Sequence, residues 1–148
     1  MRSKILSVIA LSTLFLIVKC GNGSPPDTAV NTSTKEDKGI GQFKDVNLTH
    51  PLDEGMVSKG EGIYKAQCFA CHKLTTEKLV GPGWKGVTDR RAPEWIMNFV
   101  TNTNVMLDSD LVAQQLMVIC VARMPNQNVS NENARNVLEF MRKNDGKN

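Results

Sequence analysis

The chain is short of aromatic residues, with five phenylalanines, two tryptophans and one tyrosine among 148 residues. So few large rings leave little to build a core from, and a non-protein group is expected to fill the middle of the domain. Strand-type alternation of apolar and polar residues is scarce, which argues against a β fold. No apolar run reaches the roughly 20 residues of a transmembrane helix, and no block of Lys or Arg argues for a nucleic-acid partner. Histidine is scarcer still, at two, and cysteine stands at four.

The longest apolar run, ILSVIALSTLFLIV at residues 5–18, follows the basic MRSK. That order of charge and apolarity is the form of an export signal, which places the working domain outside the cytoplasm. The run closes in LIVKCGNGS, which resembles a bacterial lipoprotein signal with Cys20 as the acylated residue, although Lys19 stands where that pattern has a small residue. Ordinary cleavage after Gly21-Asn22-Gly23, or retention of the run as a weak anchor, are the other readings. Residues 1–19 are thus read as a signal peptide. Without them, the 18 basic residues less Arg2, Lys4 and Lys19 equal the 15 acidic ones, so the exported chain is formally neutral.

Residues 20–50 are rich in Gly, Ser, Thr, Asn and charge, and their apolar residues follow no period. They are read as a flexible linker, with an end-to-end distance of about 30 Å. Residues 51–148 form the folded domain, expected to be all-α with about four short helices. The first runs from about Val57 to Cys71, with Gly60, Ile63, Tyr64, Cys68 and Cys71 on one face. The second opens at Pro93, which suits a first helical position. The third covers SDLVAQQLMVICVA, capped by Asp108 or Ser109. Ser130 caps the last, in which Ala134, Val137, Leu138 and Met141 repeat at helical spacing, with Arg142 and Lys143 at the C-terminal end of the dipole.

Two of the four cysteines and one histidine fall in CFACH, residues 68–72. A dithiol redox centre wants its pair at a helix N-terminus, and this pair lies at the opposite end. A structural zinc site needs four ligands, which only Cys68, Cys71, His72 and Cys120 together could supply. Cys-x-x-Cys-His is also the signature of covalent haem attachment. Thiols one turn apart can add to two vinyl groups along a porphyrin edge, and the next side chain then lies over the iron. On that reading Cys68 and Cys71 form thioethers and His72 ligates the iron.

With Gly60 and Tyr64 before CFACH, the LVGPGWKGV loop after it, and a methionine ahead of the last helix, residues 55–143 resemble a class I c-type cytochrome. The resemblance implies a small cytochrome c fold around one covalent haem c. It implies that the Pro82 carbonyl receives the His72 Nδ1 hydrogen, and that a methionine closes the sixth position of the iron. Met124, held extended by Pro125 and placed just before the last helix, is the expected ligand, with Met106 in the loop TNTNVMLD as runner-up. Met56, Met97, Met117 and Met141 are read as packing residues.

Trp84, Trp95, Arg90, Arg91 and Arg123 are candidates to line the porphyrin or meet its propionates. Asn126 and Asn128 are either ligand-loop donors or loop filling, and Cys120 reads as a buried small apolar residue. The resemblance implies electron transfer in the cell envelope rather than enzymatic catalysis. The monomeric carrier would work between respiratory donors and a reductase or oxidase, nitrous oxide reductase among them. A tethered subunit of a larger complex, and a haem enzyme or gas sensor with an open sixth site, are the rival readings.

Overall fold

The computed structural model describes residues 37–148 of the chain. The signal segment 1–19, Cys20 and the part of the linker up to residue 36 lie outside the described residues. Among the described residues six α-helices carry the fold: α1 (Glu54–Ile63), α2 (Val87–Arg90), α3 (Pro93–Thr101), α4 (Thr103–Ser109), α5 (Leu111–Met117) and α6 (Asn131–Asn144). No strand occurs among the described residues, and one isolated antiparallel bridge joins His72 to Lys78. The described residues are all-α, as the helical periods of the sequence imply.

The main scaffold is the packing of α1 on α6. Gly60 makes it possible, because a Cβ there would collide with the Asn136 carbonyl and come within 2.8 Å of Phe140 Cβ. Asp53 caps α1 by accepting the Met56 N–H at 2.9 Å, and Ser130 caps α6 through the Asn133 N–H at 3.2 Å. Along α6 the expected stripe of Ala134, Val137, Leu138 and Met141 is buried. Pro93 opens α3, whose Trp95, Ile96 and Met97 enter the same core.

Three elements differ from the sequence reading. The first helix is shorter: α1 ends at Ile63 and passes into a π-helical turn, Tyr64–Cys68, marked by the Phe69 N–H bonding to the Tyr64 carbonyl at 2.9 Å. The extra residue in that turn ends the helix before Cys71. The loop TNTNVMLD carries a helix of its own, α4, and the third helix of the sequence reading is α5, shorter than expected. Met106 lies on α4 rather than in a loop, α5 starts after Asp110, and residues 118–123 beyond Met117 are non-helical turns. Asp110, not Asp108 or Ser109, caps α5.

The described end of the supposed linker is no free coil. Residues 37–50 lie as an arm against the domain, fastened by buried polar groups whose partners are far away in sequence. Asn98, fully buried on α3, donates to the Lys38 and Phe43 carbonyls at 2.8 and 2.9 Å and accepts the Phe43 N–H at 3.0 Å. The Ile40 N–H points at Met106 Sδ at 3.1 Å, and the Val46 N–H donates to Glu94 at 2.9 Å. Thr49 donates to Glu139 at 2.8 Å.

Candidate functional site

The π-helical turn delivers Cys68 to one wall of a cavity of about 540 Å³. Cys71, His72, Pro82 and Trp84 line it from the same side of the sequence, and Arg90, Arg91 and Trp95 line it from the α2–α3 region. Leu107, Ala113, Leu116, Met117, Ile119, Cys120 and Met124 complete much of the remaining wall. The cavity is within the range of small-molecule and cofactor sites and mainly apolar, with polar groups at a few points.

His72 is held on two sides. Its Nδ1 stands 2.8 Å from the Pro82 carbonyl, and its own carbonyl accepts the Tyr64 hydroxyl at 2.8 Å. With Nδ1–H given to that carbonyl, Nε2 keeps its lone pair for another partner. Burial lowers the His72 pKa, against a smaller opposing effect of the Pro82 bond, which favours the neutral ring. Gly81 packs on the imidazole so closely that a Cβ would collide with Cε1 and stand 3.0 Å from Nδ1 and Nε2. Trp84 supports the ring from 5.8 Å between centroids.

Burial, helped by the neighbouring Cys71, pushes the Cys68 thiol up to about 11. A thiol in that state is a poor thiolate, which counts against a thioredoxin-like dithiol centre. Among the described residues no group of three or more His, Cys, Asp or Glu side chains is placed to hold a metal ion. Cys68, Cys71, His72 and Cys120 therefore line one cavity without converging on a zinc site.

The methionines separate by position. Met106 has no exposed surface and its sulfur faces the Ile40 N–H, so it is committed to the core beneath the arm. Met97 is buried away from the cavity wall, and Met56 is also off it. Met124 and Met117, both half-buried, and the core residue Met141 reach the wall. The wall position of Met117 was hidden by its helical spacing.

Arg91 is buried with its guanidinium carbon 5.0 Å from the Trp95 ring centroid, whereas Arg90 is exposed and donates to the Lys85 carbonyl at 2.9 Å. Arg123 lines the rim and pairs with Asp108 at 2.7 Å. Asn126 does not line the cavity and accepts the Asn128 N–H at 2.9 Å, with Asn128 at φ 52°, so the two build a local turn. Cys120 is half-buried on the cavity wall, beyond the end of α5, rather than buried inside a helix.

An all-α shell around one apolar cavity, with two thiols and an imidazole on one wall and thioethers on the same surface, has the donor set of a covalent-haem protein. The family described as Cytochrome c matches residues 57–145. A solved cytochrome c from Rhodothermus marinus is 35% identical, with a TM-score of 0.69 over 72% of this chain and 90% of that one. An engineered form of the Rhodothermus marinus protein, Rma TDE, is 34% identical with a TM-score of 0.68 over 72% and 92%. The same engineered protein bound to a carbene intermediate matches at 34% identity and a TM-score of 0.65 over 72% and 92%. No curated protein matches. The chain belongs to the cytochrome c family, as a class I member, and its cofactor is covalent haem c. The family's role is haem-based electron transfer.

Proposed function

We propose that the protein is a monohaem electron carrier of the cell envelope, held by Cys68 and Cys71 through thioethers and ligated by His72 and Met124. The observation that carries this reading is the convergence of CFACH, the Pro82 carbonyl and Met124 on one largely apolar cavity. When bound, the haem supplies a one-electron Fe(III)/Fe(II) couple.

The chain's own residues then have distinct tasks. Pro82 and Gly81 fix the tautomer and plane of the His72 ring. Met124, on the cavity wall, offers a soft thioether that would ligate the haem iron, favour its reduced state and leave no open position for a substrate. Met106 is unsuited to that task because its sulfur is packed under the arm. The largely apolar wall would keep much of the haem from water.

The carrier reading includes export, acylation of Cys20, and exchange of single electrons between a respiratory donor and a reductase or oxidase, with nitrous oxide reductase as one acceptor to try. It is not an enzyme on this reading, because Met124 closes the iron. The test is a reduced-minus-oxidised spectrum of protein made with haem-attachment machinery, followed by denaturation and extraction in acidified solvent. Colour that stays with the polypeptide, and a weak long-wavelength Fe(III) band of sulfur ligation, are expected. Colour that extracts into the solvent contradicts the thioethers, and absence of the band contradicts Met124.

A further inference from the structure

Asp110 occupies the break between α4 and α5 and is 6% exposed. Its Oδ1 accepts the Ala113 N–H at 2.8 Å, which caps α5. The same oxygen accepts the Trp95 indole N–H at 3.3 Å. Capping alone needs no buried charge, since Ser and Asn serve about as well as Asp. A carboxylate removed from water is costly unless donors or a cation compensate it.

The compensation lies across the indole. Arg91, 7% exposed, places its guanidinium over the Trp95 ring whose N–H meets Asp110. Burial and Arg90 lower the Arg91 pKa, while Asp37 and Asp110 oppose them and favour its charge. Trp95, Arg91 and Ala113 line the cavity and Asp110 does not. The carboxylate therefore stands one layer behind the wall, joined to it by two hydrogen bonds.

We propose that Asp110 is a positioning residue for the haem wall, holding the Trp95 ring in place, and that its buried negative charge beside Arg91 lowers the midpoint potential of the iron. This rests on the electron-carrier reading above. The sign follows from Coulomb's law: a fixed negative charge favours the more positive oxidation state. Burial keeps the effect from being removed by salt.

The test is a spectroelectrochemical titration of holoprotein carrying Asp110→Asn, Asp110→Ser, Arg91→Gln, or Asp110→Asn with Arg91→Gln. Both Asp110 variants keep an oxygen able to cap α5, so they separate charge from capping. The expected result is a higher midpoint potential in both, at low and high salt alike, with the long-wavelength band of the wild type retained. Arg91→Gln is expected to lower the potential, and the double variant to return toward the wild type. If Asp110 is only a cap, both variants leave the potential where it was. Unchanged or lower potentials in both Asp110 variants, against a wild type that titrates normally, overturn the Asp110 proposal alone. A wild type with no attached haem or no reversible one-electron step overturns the carrier reading and this proposal with it.

Discussion

At Gly60 the crossing of α1 and α6 leaves no room for a methyl group. Gly60→Ala is expected to cost about 1–3 kcal/mol through overpacking. Each kcal/mol corresponds to a fall of roughly 4–8 °C in melting temperature for a domain near this size, which differential scanning calorimetry measures. Glu139 gives a pH signature. Burial raises its pKa, but Arg135, Thr49, Arg142 and the Asp53 N–H together outweigh burial and hold it below the ordinary 4.5. A depressed carboxyl stabilises the fold above its unfolded pKa and loses that contribution as pH falls through the folded value. Melting curves of wild type and Glu139→Gln should therefore differ most near neutral pH and converge below about pH 4.5. Single residues were unevenly legible. CFACH announces its chemistry because the motif is local, and Pro82 follows from the family resemblance. Arg142 reads from the sequence as complementing the C-terminal end of the helix dipole, and only the fold shows it buried and donating to Glu139 at 2.8 and 2.9 Å.

Among the elements, the arm at residues 37–50 depends most on contacts distant in sequence. Asn98 supplies three of its hydrogen bonds, each to backbone that would otherwise lose its partner. Asn98→Ala is expected to destabilise the arm by about 2–3 kcal/mol, seen as faster hydrogen exchange at residues 37–46 with little change in α6. Equal exchange in the two proteins would contradict the clamp. Composition alone made this stretch resemble a linker, because its stabilising groups sit on α3 and α6 rather than within it. The last helix was legible for the opposite reason, since an amphipathic stripe and a capping serine are local signals. The break at Asp110 was not, because DSDLVAQQLM is compatible with one helix until Asp110 turns its side chain to Ala113 and Trp95.

At the scale of the whole molecule, the six helices of the described residues leave a largely apolar cavity of about 540 Å³ in a chain with few aromatic residues, in keeping with the non-protein filling that the composition implied. The fold class was legible because helical periods are local and CFACH names its cofactor. The wall contributed by residues 107–124 was less so, since its shape depends on where α4 and α5 break. If Cys20 is acylated, as proposed, the wild-type protein partitions with membranes and Cys20→Ser is recovered in the soluble envelope fraction. Recovery of both proteins in the same fraction would contradict the anchor.

On the carrier reading, Met124 closes the iron. Titration of the reduced protein with carbon monoxide at neutral pH, comparing wild type, Met124→Ala and Met117→Ala, shows whether it does. Wild type and Met117→Ala are expected to resist the ligand, while Met124→Ala is expected to bind it stoichiometrically and to fall in potential. Stoichiometric binding by the wild type, or resistance in Met124→Ala, would contradict that reading.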